Sequence, residues 1–485
     1  IYIYYTIHMI SSIIHTSEYK NSYIYDHQSR LSMLIHPELE KAYHKSTDVD
    51  PYYLKKYEYL KKHNFFSISQ SLTNGKINES TVMDTIAQTS QIVFEVTDFC
   101  NLECTYCAYG ELYKGYDIRH QKEINTHNAI NFLKYIFNLK HKNKDNKLFI
   151  GFYGGEPLLN GGFIKQVIAT VNQLKSKKEM EVEYNLTTNA TLLHKYIPLL
   201  AENNFQLLIS LDGNEKNHSY RPFIKSKKNS FKKVIENVDL LQRTYPEYFK
   251  SHVNFNAVLH DRNSVKDIYE FIHTRYNKIP RIAELSASDV NPDKEALYNK
   301  MFKSRWKSEV EYQKDSSNLL EKSELSYYRN LINFFKYNSI NFYVSNITDS
   351  LHNIERKFPV CACLPGQRKI LFTTNNKLLP CERISSKFSA GEMNEHLIMD
   401  IPEITRRYNS YYDQMEEQCQ NCYNSWSCLE CLFHMDNFDK LGTEEFVCKH
   451  FCDSEEYKNR LYRYFSFVEV NPKDYVEIIE NVVII

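Results

Sequence analysis

The chain has 485 residues, 42% of them hydrophobic and 25% charged, an ordinary globular composition able to bury a sizeable core, and its length suits about three domains. Sixty basic residues balance sixty acidic ones, so the formal net charge is zero and a general nucleic-acid binder is not expected; the lysines at Lys225, Lys227, Lys228, Lys232 and Lys233 read as a solvated helix face. A mean hydropathy of −0.53 with no long uncharged apolar run argues against a membrane span.

Residues 12–45 alternate apolar and polar, at Ile13-Ile14, Tyr23-Ile24-Tyr25, then Leu31, Met33, Leu34 and Ile35. Turn-like Lys20-Asn21-Ser22 and Asp26-His27-Gln28-Ser29 separate these runs, which predicts hairpin strands. Two helices are predicted next, Pro37 to Tyr43 and Pro51 to His63, the second with Leu54, Tyr57 and Leu60 on one face. Strands followed by short helices make residues 1–90 either a small winged-helix-like module or a cap on a larger enzyme.

From residue 91 strand and helix alternate. Strands are predicted at Ile92–Val96, Leu148–Tyr153, Val182–Leu186, Gln206–Leu211, Val253–Val258 and Arg281–Ser286. Helical periods lie between them, for example Ile130, Leu133, Ile136 and Phe137, or Val234, Ile235, Val238 and Leu241. Such repetition implies right-handed parallel βαβ units over residues 91–290, as a partial barrel or an open sheet. Both architectures put their chemistry at the C-terminal ends of the strands. Residues 291–358 read as a mostly helical linker, with Tyr327, Leu331, Phe334 and Phe335 in one stretch. Residues 359–455 carry nine of the twelve cysteines and little periodicity, so metal is expected to hold them. The tail, 456–485, reads as an amphipathic helix with an apolar end that docks on the body.

The cysteines are clustered: none precedes Cys100 and none lies between Cys107 and Cys361. A disulfide framework suits a long chain with a full core poorly. Residues 1–15 hold no Lys or Arg, and their apolar stretch is interrupted, so no secretory signal is expected. The expected compartment is the reducing cytoplasm, with cysteines that bind metal. The chain opens at Ile1 with its first methionine at Met9, and residues 1–8 are given no weight.

Cys100-Asn-Leu-Glu-Cys104-Thr-Tyr-Cys107 directly follows the first strand of the repeating unit. Three thiolates in eight residues can wrap one face of an iron–sulfur cubane and leave one iron open. Zinc is the alternative, but a structural zinc site wants four ligands and no fourth Cys or His sits nearby in sequence. The run, with aromatic Tyr106 before its last cysteine, resembles the signature of radical S-adenosylmethionine (radical SAM) enzymes. Gly154-Gly155-Glu156-Pro157 after the second strand is similar to the GGEP motif of that family. The resemblance implies a partial (β/α)6 TIM-like barrel, a [4Fe–4S] cluster on Cys100, Cys104 and Cys107, and binding of the methionine amino group at Gly154, Gly155, Glu156 and Pro157. Polar groups at later strand ends would also face the cofactor: Thr188 and Asn189 after the third, Ser210 and Asp212 after the fourth. His218 and Arg221 form a His-x2-Arg arrangement seen in the family, as a direct contact or as a hydrogen-bond network at a helix start. S-adenosylmethionine would chelate the open iron, and one electron would cleave it to a 5′-deoxyadenosyl radical that abstracts hydrogen from an unactivated C–H.

A second set runs Cys363-x2-Gly366, Cys381, Cys419-x2-Cys422-x5-Cys428-x2-Cys431, then Cys448 and Cys452. Two CxxC pairs five residues apart are too close for a zinc ribbon. The set resembles the SPASM domain of peptide-modifying radical enzymes, which implies two auxiliary [4Fe–4S] clusters. By that resemblance Cys363, Cys381 and Cys431 serve the nearer cluster, with Cys361 as the candidate to complete it. Cys419, Cys422, Cys428 and Cys448 serve the farther one, and Cys452 is spare. The chain departs from the pattern in three places. Asn376 stands where a glycine is usual, the last CxxC replaces an x3 spacing, and Cys361 lies unusually close to Cys363. Asn tolerates positive φ, so that turn should survive. If Cys361 does not ligate, the nearer cluster would have an open iron for a substrate thiolate.

The resemblance implies a peptide substrate. The expected activity is maturation of a ribosomally made precursor peptide by a thioether, carbon–carbon or carbon–oxygen crosslink. The leader of that peptide would be gripped by residues 1–90 through strand addition. An electron donor such as a flavodoxin or ferredoxin would serve as a further partner. A sulfatase-maturing enzyme that forms formylglycine is the alternative, and peptide epimerisation is a third outcome. A non-catalytic scaffold would not need to keep the cysteine run and the GGEP motif intact.

Overall fold

A computed structural model of the chain describes residues 12–27, 31–63, 65–66, 76–142, 147–176, 180–315, 326–335, 362–425, 428, 430–435 and 437–481. Cys361 and much of the predicted helical linker lie outside the described residues. The chain divides into two compact units. One comprises Ile1–Lys76, Asn318–Cys361 and Asn409–Ile485, and the other Ile77–Ser317 and Ala362–Tyr408.

The first unit opens with strands β1 (Ile13–Thr16), β2 (Ser22–Asp26) and β3 (Leu31–Leu34), an antiparallel sheet in the order β1-β2-β3, where the alternation predicts hairpin strands. Helices α1 (Pro37–Tyr43) and α2 (Pro51–Lys62) follow. Both begin with proline at the first helical position, whose missing N–H is no loss there, and Asp50 caps α2 by accepting from Tyr52 N at 2.8 Å.

The second unit continues with α3 (Glu79–Ala87) and then a ten-stranded sheet. Its parallel part is β4 (Gln91–Thr97), β5 (Lys147–Gly154), β6 (Glu181–Thr188), β7 (Gln206–Ser210), β8 (Val253–Val258) and β9 (Arg281–Ala283), each paired with the next. The helices of this part are α4 (Thr126–Lys142), α5 (Gly161–Lys175), α6 (Ile197–Glu202), α7 (Phe231–Thr244), α8 (Pro246–His252) and α9 (Val265–Tyr276). They alternate with the strands as the periodicity predicts, except that α8 is an addition. Strand β4 is buried on both faces, whereas β6 to β9 alternate, with one face buried and the other half-buried or exposed. Helices α10 (Glu295–Met301) and α11 (Arg305–Asp315) complete the segment.

The sheet does not stop at six strands. Strand β10 (Ile370–Phe372) pairs parallel with β4, and β11 (Lys377–Leu379), β12 (Gly391–Met393) and β13 (Leu397–Ile398) extend it antiparallel. Sequence alternation missed these strands, since three residues or fewer leave no period to detect. The turn joining β10 and β11 contains Asn376 at φ 62°, so the residue standing in for glycine adopts the left-handed conformation expected of it.

In the first unit, α12 (Ser326–Asn333) and the C-terminal helices α14 (Ser454–Val470) and α15 (Pro472–Asn481) pack against the N-terminal strands. Between them in sequence runs α13 (Ile401–Gln420), whose first eight residues belong to the second unit. The tail is thus two helices broken at Asn471-Pro472 where one is predicted, and its apolar end, 482–485, lies outside the described residues. Tyr25, Phe334, Tyr457, Tyr464 and Phe465 form an aromatic core there, and Glu469 Oε1 on α14 accepts from Ser17, Asn21 and Tyr23 at 2.7–2.9 Å. Among the described residues no helix is long and apolar enough to cross a membrane.

Asn376→Gly should be neutral or stabilising by up to about 1 kcal/mol in chemical denaturation, because it relieves the left-handed strain and removes a buried, unpartnered side-chain oxygen. Asn376→Val should cost about 1–2 kcal/mol.

Candidate functional site

The site is built on the C-terminal ends of β4 to β8. The chain leaves β4 at Thr97 and enters the loop that carries Cys100, Cys104 and Cys107. That loop is tied down by main-chain bonds, Thr105 N to Tyr220 O at 3.1 Å and Glu103 N to Pro222 O at 3.0 Å. Cys107 N donates to Cys104 O and Gly110 N to Cys107 O, so the last two cysteines sit on consecutive turns.

The glycines of the 154–157 motif allow a close backbone crossing. Gly154 has φ 128°, and a Cβ on it would run into Thr97 O, while one on Gly155 would strike Phe99 O. Gly155 N donates to Thr97 O at 2.8 Å and Glu156 N to Phe99 O at 3.0 Å, so the end of β5 is fastened to the start of the cysteine loop. Pro157 opens a short 3-10 turn to Asn160.

Glu156 has no exposed surface. Its carboxylate accepts from Thr188 Oγ1 at 2.7 Å, Asn189 N at 2.7 Å and Leu158 N at 3.1 Å. Burial raises its pKa to about 7 against these hydrogen bonds. With both oxygens engaged, the side chain fastens β5 to β6. Asn189, placed by Glu156, directs Nδ2 to Asn101 Oδ1 at 2.9 Å and to Cys100 Sγ at 3.6 Å.

At the end of β7, Tyr106, Asp212 and Arg221 are brought together and satisfy one another. Asp212, fully buried, accepts from Arg221 Nε at 2.8 Å and Nη2 at 3.0 Å, from the Tyr106 hydroxyl, and from Val258 N at 2.9 Å. Burial alone would raise the Asp212 pKa, but the Arg221 guanidinium holds it at about 2. His218 belongs to the same network as a neutral ring, accepting from Asp212 N at 3.3 Å and meeting Ser230 Oγ at 3.1 Å, with burial pushing its pKa down to about 3. The His-x2-Arg pair thus takes part in a hydrogen-bond network around Asp212. The Ser210 hydroxyl, also at this strand end, is half-buried and has no partner among the described residues.

Burial pushes the Cys100 thiol up to about 12 and Cys104 higher still, so thiolates there need a cation to stabilise them. Three thiols on one loop, with an amide aimed at one sulfur, form a donor set suited to an iron–sulfur cluster with an open iron.

Sequence reasoning missed a small, partly open cleft of about 40 Å³ in the same unit, with Glu95, Tyr109, Tyr116, Arg119, Thr374 and Glu382 in its wall. Arg119 stacks on Tyr109 at 3.6 Å from the ring centroid and lies 3.4 Å from Glu95. Burial raises the pKa of the Glu95 carboxyl, against Thr374 and Arg119, and that of the Tyr109 phenol. Tyr116 is within electrostatic reach of both Cys107 and Cys381. The available signal was positional: Glu95 lies two residues from the end of the strand that leads into the cysteine run, and Glu382 adjoins Cys381.

Cys363 and Cys381 lie in the second unit, where Tyr408 donates to Cys363 O at 2.8 Å. Cys431 lies in the first unit, as do Cys419, Cys422, Cys428 and Cys448, and those last four line a single small pocket. Cys452 does not line it. Among the described residues no three His, Cys, Asp or Glu side chains gather closely enough to hold a single metal ion; the four thiols instead stand around an open space.

Residues 94–274 match the sequence profile of the Radical SAM superfamily, so the chain carries a radical SAM domain, with the [4Fe–4S] and S-adenosylmethionine chemistry of that family. Its relatives include the cysteine-type anaerobic sulfatase-maturating enzyme of Clostridium novyi, 32% identical over 187 residues, 38% of this chain and 47% of that protein. The radical SAM cyclopropyl synthase TigE of Paramaledivibacter caminithermalis is 27% identical over 184 residues, 36% of this chain and 37% of that protein. The matches thus span less than half the length of either relative. A solved structure of native anSMEcpe with bound AdoMet and Cp18Cys peptide shares the fold, with a TM-score of 0.50 at 18% identity, over 79% of this chain and 98% of that one.

Asp212→Ala should cost about 3–5 kcal/mol in urea denaturation at pH 7, since it leaves the Arg221 charge buried and unpaired. Asp212 titrates below its ordinary 3.8, so its contribution is complete above about pH 4 and lost as the pH falls through about 2. The gap between wild type and variant should therefore be constant from pH 7 to 5 and narrow below about pH 4. Glu156→Ala strands three donors and should cost roughly 3 kcal/mol, with S-adenosylmethionine binding weakened about tenfold in equilibrium dialysis.

Proposed function

We propose that the protein is a radical SAM maturase that installs a thioether, carbon–carbon or carbon–oxygen crosslink in a ribosomally made precursor peptide. The observation that carries this reading is the partly open cleft with walls from the segment after Cys107 and from residues next to Cys381. Tyr116 in its wall is within electrostatic reach of both Cys107 and Cys381, and an auxiliary cluster on the Cys381 side would take up the electron left after bond formation. When bound, the cluster and S-adenosylmethionine supply a 5′-deoxyadenosyl radical that abstracts hydrogen. The chain's own part is to orient and to exclude water: Glu156 and Asn189 fix the Cys100 loop, and the Arg119–Tyr109 stack closes one wall of the cleft.

The domain assignment follows. Residues 1–90 are the leader-recognition module, 91–290 the catalytic barrel, 291–358 a linker, 359–455 the SPASM domain and 456–485 a docking tail. Cys363, Cys381 and Cys431, with Cys361, hold one auxiliary cluster, and Cys419, Cys422, Cys428 and Cys448 the other. Leader recognition is supported by the outer position of β3, where Leu34 is 65% exposed, and by α2, which buries none of its residues and presents Tyr52, Leu54 and Tyr59. A flavodoxin or ferredoxin supplies the electron, and the setting is the cytoplasm. The second reading, formylglycine formation, has the sulfatase-maturating relatives in its favour. The three-stranded module gives a precursor peptide more to hold than that reaction requires.

Anaerobic co-expression with a small peptide encoded beside the gene, followed by mass spectrometry, tests the proposal. Loss of two hydrogens per modification is expected, with cysteine no longer alkylating if the link is a thioether. An unmodified peptide alongside vigorous 5′-deoxyadenosine formation would point to epimerisation or another partner, and conversion of a sulfatase peptide would favour the second reading. Leu34→Lys should weaken leader binding about tenfold while leaving peptide-independent 5′-deoxyadenosine formation unchanged.

A further inference from the structure

Cys419, Cys422 and Cys428 are close in sequence, whereas Cys448 reaches the same pocket from a loop twenty residues beyond Cys428. That loop has no strand partner, and side-chain amides hold it instead. Gln418 accepts from Cys448 N through Oε1 at 2.9 Å and donates from Nε2 to Phe446 O at 2.7 Å. Asn437 Nδ2 donates to the intervening Val447 O at 3.0 Å. Gln418 grips the main chain on both sides of Val447, as a paired strand would. It is also the residue before Cys419, near the end of α13, so one side chain sets the span between two thiols of the pocket.

Cys452 faces elsewhere. It is fully buried, and its Sγ lies 3.7 Å from Arg460 Nη2 and 3.7 Å from Asp453 O. Its main-chain N–H is directed at Cys422 Sγ, 3.4 Å away, so the residue supports a pocket thiol from behind.

We infer that Gln418 is the positioning residue of this centre, holding Cys448 rather than Cys452 as the fourth thiolate beside Cys419, Cys422 and Cys428. The inference rests on the reading that these thiols hold a [4Fe–4S] cluster. A ligand on an unrestrained loop exchanges more readily, so losing the clamp should show first in how firmly the iron is retained.

The test uses the full chain carrying Cys100→Ala, Cys104→Ala and Cys107→Ala, so that all bound iron belongs to the C-terminal centres. After anaerobic reconstitution, iron and sulfide per chain, the electron paramagnetic resonance of the reduced protein and the rate of iron loss to a chelator are measured. Cys448→Ala should lose about half of the iron and one reduced signal, while Cys452→Ala keeps both. Gln418→Ala should broaden that same signal and speed loss of its iron about tenfold; Gln418→Glu, which keeps the acceptor for Cys448 N, should restore most of the retention. If the alanine variant does not fold, Gln418→Met carries the same expectation. Unchanged iron retention and signal in a folded Gln418→Ala or Gln418→Met chain would overturn the inference, as would iron loss from Cys452→Ala in place of Cys448→Ala. Full iron in both Cys419→Ala and Cys448→Ala would instead defeat the cluster reading beneath it.

Discussion

Glu156 has no exposed surface, and both its carboxylate oxygens are occupied by donors from β6 and from its own turn. Its main-chain N–H meanwhile binds Phe99 O, the last carbonyl before Cys100. The residue therefore joins three chain segments that are far apart in sequence: the end of β5, the end of β6 and the root of the cysteine loop. Asn189, fixed by its N–H to Glu156, passes the constraint to Cys100 Sγ. The position of the first thiol is thus set by a carboxylate that never touches it. The adjacent glycines serve the same end, because any side chain on Gly154 or Gly155 would push β5 away from Thr97 and Phe99.

A second buried carboxylate, Asp212, behaves in the opposite way. Both groups suffer the desolvation that disfavours charge, yet Glu156 rises to about 7 and Asp212 falls to about 2. The difference is the partner. Neutral donors surround Glu156, whereas a bidentate guanidinium faces Asp212, and only a full opposite charge outweighs burial. Arg221 in turn leans over the Tyr106 ring at 5.3 Å, so the aromatic residue inside the cysteine run is oriented from β7. The loop is held at Cys100 by one carboxylate and at Tyr106 by the other.

Much of this was legible in the sequence, because strand–helix alternation and the two motifs are local patterns. The six parallel strands and the hairpin strands before them follow from residue type and spacing, and the left-handed turn at Asn376 from the resemblance, which puts a glycine at that position. Partnerships were not legible. Nothing local says that Glu156 will meet Thr188 and Asn189, or that Gly155 will lie against Phe99. Helix α13 was hidden for another reason. Its buried stripe is Ile404, Tyr408, Tyr412 and Met415, helical in spacing but half tyrosine, so its apolar content reads as low. The break at Asn471-Pro472 was marked by the proline itself, which can start a helix but not continue one.

The two groups of thiols obtain their order from different sources. Cys100, Cys104 and Cys107 follow a central strand, and the loop between them inherits its position from the sheet on either side. Cys419 and Cys422 stand at the end of a helix, and the residues that follow have only short turns. Backbone groups there find partners in side chains such as Gln418 and Asn437, each bond worth about 1 kcal/mol net. Few such bonds cannot offset the entropy of ordering a segment this long, at roughly 1–2 kcal/mol per residue. A bound cluster gathering four thiolates would supply the remainder, which is how a segment with little apolar pattern of its own can hold a fixed shape.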